Sequence, residues 1–176
     1  MGSVTHYRWG QPQGQAAVLS YEGECTVGPT ASAASSVPAG GSALASTLTK
    51  LGFAPAQIVQ EIGWDADVDD DLRVALEDLT TTDLEDEDYA DVADAVVVWF
   101  REGDDDLVDT LVDALTNLAD GGFVVLLTPK AGRSDHVDPS EVEESAVTAG
   151  LHTAGAANVS PDWGAVRLVS PKGQRR

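Results

Sequence analysis

Glu61-Ile62-Gly63-Trp64-Asp65-Ala66-Asp67 follows the apolar segment Gln57-Ile58-Val59-Gln60. In an open α/β domain this is where a strand hands over to a helix through a glycine-rich turn. Backbone N–H groups in such a turn approach an anion at the helix N-terminus. The first glycine is present as Gly63, whereas Asp65 and Asp67 stand where the next two belong. Their carboxylates add bulk and repel a phosphate or an amino-acid carboxylate. The scaffold is legible, and its ordinary ligand is disfavoured.

Outward from this turn the chain alternates. Leu72, Ala75, Leu76 and Leu79 lie on one face of a helix expected over 70–79. Residues 80–91 read as a solvated connection. Ala95-Val96-Val97-Val98-Trp99-Phe100 is an unbroken apolar run, the pattern of a strand buried on both faces. A helix expected over 104–120 opens on Asp104, Asp105 and Asp106 at the positive end of its dipole. Its core stripe is Leu107, Val108, Leu111, Val112, Leu115 and Leu118, and Gly121-Gly122 ends it. Phe123 to Leu127 is a second buried strand. Asp138 as N-cap, Pro139 in the first turn and Glu141 start another helix, closed by Gly150. Strands over 152–158 and 165–169 flank the hairpin connection Ser160-Pro161-Asp162-Trp163-Gly164.

Upstream, Ser42 to Lys50 forms a short capped helix, and a strand is expected over 57–62. Residues 1–41 are small and polar without sustained periodicity, so they read as a flexible low-complexity leader. The domain then covers 42–172, and 173–176 is a basic tail. The pattern predicts an α/β domain: a reduced Rossmann-like three-layer sandwich, with a mostly parallel sheet and a C-terminal antiparallel hairpin.

The formal net charge is −20, from 30 acidic and 10 basic side chains. Between Glu61 and Asp113 there are 21 acidic residues against two basic ones, Arg73 and Arg101. A field of that sign opposes nucleic-acid backbones and anionic membranes and favours cations or a basic protein surface. A solvated acidic face is the plainer reading. Cys25 is the single cysteine, which excludes a disulfide framework and a multi-thiolate metal site. With no signal-type N-terminus and no apolar run of spanning length, a cytoplasmic chain is expected.

The order from Ala93 to Pro171 resembles the C-terminal half of class I S-adenosylmethionine-dependent methyltransferases, whose last strand runs antiparallel. A more specific likeness covers Leu48 to Lys172. Lys50-Leu51-Gly52-Phe53, Val59 to Asp65, Leu126 to Gly132 and Asp162-Trp163 resemble a family of small acidic bacterial proteins of unknown function. The methyltransferase resemblance implies a glycine-rich first turn, an acidic residue after the second strand for the ribose, and a polar motif after the fourth. This chain has Glu61 and Gly63 but not the later glycines, and it offers no second and third strands. After Phe100 comes Arg101-Glu102-Gly103.

Asp65, Asp67 and Asp69 alternate as at the start of an EF-hand loop. That loop needs glycine at its sixth position and glutamate at its twelfth, where this chain has Asp70 and Leu76. Lys130 and Arg133 follow the C-terminal end of a buried strand, the edge where open α/β sheets bind ligands. They either clamp an anion or neutralise the acidic turn. His136 is a candidate base, but no nucleophile motif accompanies it. Trp64 and Trp163 lie in turns, where exposed indoles mark contact surfaces or cap the sheet.

These readings favour a non-enzymatic interaction or regulatory protein presenting an acidic surface to a basic protein partner, with no cofactor and no metal. Trp64, Asp65, Asp67, Asp69 and Trp163 are the expected partner surface. The competing expectation is a degenerate methyltransferase-like or small-molecule-binding enzyme, its ligand lined by Glu61, Gly63, Lys130 and Arg133.

Overall fold

The computed structural model describes residues 39–171. The readings of 1–38 as part of a flexible leader and of 173–176 as a basic tail lie outside the described residues. The elements are α1 (Ala39–Leu51), β1 (Val59–Ile62), α2 (Asp70–Thr80), β2 (Ala93–Trp99), α3 (Leu107–Ala114), β3 (Leu118–Pro129), α4 (Pro139–Thr148), β4 (His152–Asn158) and β5 (Trp163–Val169). The first helix begins at Ala39, inside the stretch assigned by sequence to the leader.

One five-stranded sheet runs in the order β1-β2-β3-β5-β4. The first three strands are parallel, and β5 lies antiparallel between β3 and β4. Apolar runs at the centre alternate between two cores because helices cover both faces. Ala95, Val97 and Trp99, with Phe123, Val125 and Leu127, pack under α1 and α2. Val96, Val98 and Phe100, with Val124 and Leu126, pack under α3 and α4. This is the expected three-layer sandwich.

Two expectations need correction. The third helix ends at Ala114, and Gly121-Gly122 lies within β3 instead of terminating a helix. Val112, placed by sequence in the core stripe, is exposed. The chain leaves the helix because β3 pairs with β2 already at Leu118, through a register shift between Ala93 and Ala95. A Cβ on Gly122 would stand 2.7 Å from the Asp94 carbonyl oxygen, so the close approach of the two strands requires glycine there.

The segment after α2 is also more than a solvated connection. Glu85 forms a bridge with Gln60 along the outer edge of β1. Its N–H donates to the Val59 carbonyl at 2.9 Å, and its own carbonyl accepts from the Glu61 N–H at 2.7 Å. The buried Gln60 amide donates to the carbonyls of Asp86, Glu87 and Tyr89. A single residue thus covers an edge that a further strand would otherwise occupy. No helix among the described residues is long and apolar enough to cross a membrane.

Candidate functional site

The C-terminal ends of β1 and β2 meet at Gly63. Its φ is +74°, and a Cβ there would lie 2.3 Å from the Trp99 carbonyl oxygen. The glycine is thus required by strand packing alone.

Glu61, the last-but-one residue of β1, is buried, and three donors converge on it. Arg73 of α2 bonds it from Nε at 2.9 and 3.1 Å and from Nη2 at 2.9 Å. The indole Nε1 of Trp99 donates to Oε1 at 2.8 Å. This bidentate clamp holds the carboxylate against the sheet, and the same hydrogen bonds raise the pKa of Arg73 above its ordinary value.

The turn that follows is closed from within. The Asp65 carboxylate accepts from the Ala66 N–H at 2.6 Å, and the Asp65 carbonyl accepts from the Val68 N–H at 3.2 Å. Asp69 is the N-cap of α2 and accepts from the Leu72 N–H at 3.0 Å, with Asp70 and Asp71 in the first turn. The positive end of the helix is therefore occupied by the chain's own carboxylates. Asp67 pairs with Arg101, whose Nε bonds it at 3.0 and 3.1 Å and whose Nη1 bonds the Gly63 carbonyl at 3.0 Å. Arg133 adds a second cation at 3.7 Å. The Arg101 hydrogen bonds hold the Asp67 pKa below its ordinary value.

Beneath these arginines lies Trp163, with the guanidinium carbons of Arg101 and Arg133 at 5.2 and 5.8 Å from its ring centroid. Its ring meets Trp99 edge-on at 4.8 Å. Arg73, Glu61, Trp99, Trp163, Arg101 and Asp67 thereby form one continuous chain of contacts across three strands. Above it a cleft of about 430 Å³ remains, lined by Gly63, Trp64 and Arg101 and by the exposed carboxylates of Asp65, Glu87, Asp104 and Asp105.

Residues 48–172 match the family described as "Protein of unknown function (DUF3052)". The chain belongs to this family. The uncharacterized protein Rv2239c of Mycobacterium tuberculosis (strain ATCC 25618 / H37Rv) is 49% identical over 123 residues, spanning 70% of this chain and 77% of that protein. The uncharacterized protein Mb2263c of Mycobacterium bovis matches to the same extent.

Among solved structures, the pyocyanin biosynthetic protein PhzM aligns with a TM-score of 0.51 at 12% identity, over 73% of this chain and 54% of its own. The O-methyltransferase NcsB1 from neocarzinostatin biosynthesis, solved with S-adenosyl-L-homocysteine and 1,4-dihydroxy-2-naphthoic acid, aligns with a TM-score of 0.50 at 16% identity. That alignment spans 74% of this chain and 57% of NcsB1. At such identities the likeness is one of fold.

The residues singled out by sequence are not gathered in one place. Glu61, Gly63 and Arg133 do fall along the C-terminal edge of the sheet, but Glu61 is clamped and Arg133 pairs with Asp67, Asp135 and Asp162. Lys130 takes no part in neutralising the turn, because its ammonium donates to the Ser160 carbonyl at 2.6 Å. Trp163 needs correction as a surface residue: it is 1% exposed, since it opens β5 on the face that packs against Trp99. Trp64 is 59% exposed beside the cleft. No motif in the sequence marks Arg73 or Arg101 as a functional residue. Their signal was their isolation, as the two cations in a run of 21 carboxylates.

Proposed function

We propose that this protein is a non-enzymatic interaction module whose acidic face at the C-terminal edge of β1 and β2 receives a basic protein partner. The observation that carries this reading is the internal closure of the anion-binding turn. The N–H groups of Ala66, Val68 and Leu72 all have acceptors within the chain, and three aspartates cover the N-terminus of α2. An anionic group arriving there meets carboxylates.

The cleft that remains suits a cation. Asp65, Glu87, Asp104 and Asp105 rim it, and Trp64 offers an exposed ring on which a guanidinium or ammonium can lie. Asp67 and Asp104 are committed to Arg101 and Asp69 to the helix cap, so the partner-facing set becomes Trp64, Asp65, Glu87 and Asp105. The arginines do not cancel this field. They pair with Glu61, Asp67, Asp70, Asp104, Asp135 and Asp162 and leave the other described carboxylates without an arginine partner.

The test is affinity capture with the full chain from a mycobacterial lysate at about 50 mM and about 500 mM salt, since exposed charge contacts are screened. The expected outcome is recovery of basic proteins at low salt, lost at high salt and lost in the variant Asp65→Asn/Glu87→Gln/Asp105→Asn. Recovery that persists in high salt, or in that variant, contradicts the reading.

A further inference from the structure

A second cleft, of about 420 Å³, opens between the C-terminal end of β3, α4 and the β4–β5 hairpin. Its apolar walls include Val137 and Val142 on one side and Ala156 and Val166 on the other, with Lys130 and His136 as polar members. Glu143 of α4 also lines it.

Lys130, like Lys50 and Arg167, has no carboxylate partner among the described residues. Its half-buried ammonium is fixed by the Ser160 carbonyl at 2.6 Å, and no described carboxylate lies within 4.0 Å of it. In a chain of 30 acidic and 10 basic side chains, a positioned ammonium without a carboxylate is an unfilled pairing. His136 supplies a second polar group of defined tautomer. Its Nδ1 lies 2.7 Å from the Pro129 carbonyl oxygen, which can only accept. Nδ1 therefore carries the hydrogen, and Nε2 is left for a ligand.

We propose that this cleft binds a small amphipathic carboxylate, an aryl- or alkylcarboxylic acid. Its apolar body lies against Val137, Val142, Ala156 and Val166, and its carboxylate pairs with the Lys130 ammonium. One cation matches one negative charge, and Glu143 opposes a second, so a monocarboxylate fits better than a phosphate dianion. The volume lies within the range of small-molecule sites, and apolar walls with few polar groups are their usual composition. This site is separate from the acidic face, and it stands or falls independently of the partner proposed above.

The experiment is calorimetric titration of the full chain with 4-phenylbutyrate, with 4-phenylbutylamine and 4-phenylbutanol as controls for charge. A saturable one-site isotherm for the carboxylate, at least about tenfold tighter than for either control, is expected. Lys130→Met should weaken it by about tenfold or more without changing the circular dichroism spectrum. If that variant fails to fold, Ala156→Glu serves instead, because Ala156 is exposed on β4 and the change adds a carboxylate to the cleft wall. The absence of saturation overturns the proposal. So does equal binding of the amine, or carboxylate binding that the folded variants leave unchanged.

Discussion

Glu61 shows how one side chain can belong to a cofactor-type position and yet be committed to the fold. Its residue type and its place at the end of β1 are legible in the sequence. The Arg73 clamp and the Trp99 indole bond are not, because both partners reach it from other elements. Glu61→Gln keeps an acceptor for Trp99 but removes the buried, bidentate counter-charge of Arg73 and leaves it only the exposed Asp70 at 3.8 Å. Breaking a fully buried pair costs roughly 3–5 kcal/mol. Arg73 keeps 30% of its side chain exposed, so a loss of about 2 kcal/mol in denaturant unfolding is expected. A variant as stable as wild type would show that the clamp contributes nothing. Asp67 gives a pH-dependent counterpart. Its pKa is lowered in the folded state from the ordinary 3.8, chiefly by the Arg101 hydrogen bonds. Its contribution is thus fully present above that value and is lost as pH falls through the folded pKa. The stability difference between wild type and Asp67→Asn, measured by urea unfolding across pH, should be largest near neutrality and fade below 3.8. A difference that grows on acidification would reverse the assignment.

At the scale of elements, both central strands and the helix start at Asp138 could be read from the chain, because burial on two faces and capping are local patterns. The end of α3 could not. Leu115 and Leu118 continue a helical stripe, yet the pairing of β2 with β3 begins at Leu118 and takes the segment into the sheet. Strand pairing between distant residues outweighs a few residues of helix propensity. Gly122 is the physical mark of that choice. Gly122→Ala would push a Cβ to 2.7 Å from both the Asp94 carbonyl oxygen and Leu118 Cδ1, and a loss of about 2 kcal/mol in stability is expected by the usual cost of overpacking. If thermal unfolding of that variant matched wild type, Gly122 would not be a packing requirement. The Glu85 bridge escaped sequence reading for a similar reason, since a one-residue pairing leaves no periodicity.

On the scale of the whole molecule, the sheet order and helix layers place the chain with methyltransferase-like folds, while the charge pattern sets its acidic edge apart from an anion-binding one. The acidic run was plain in the sequence. Its division into carboxylates consumed by Arg73, Arg101 and Arg133 and carboxylates left to rim a cleft needed the three-dimensional arrangement. The turn after β1 and the start of α2 present the carboxylates of Asp65, Asp67, Asp69, Asp70 and Asp71 to the anionic part of any cofactor. The most direct measurement is calorimetric titration of the full chain with S-adenosyl-L-homocysteine and with ATP. The closed turn predicts no saturable heat with either ligand, and a saturable isotherm with either one would contradict it.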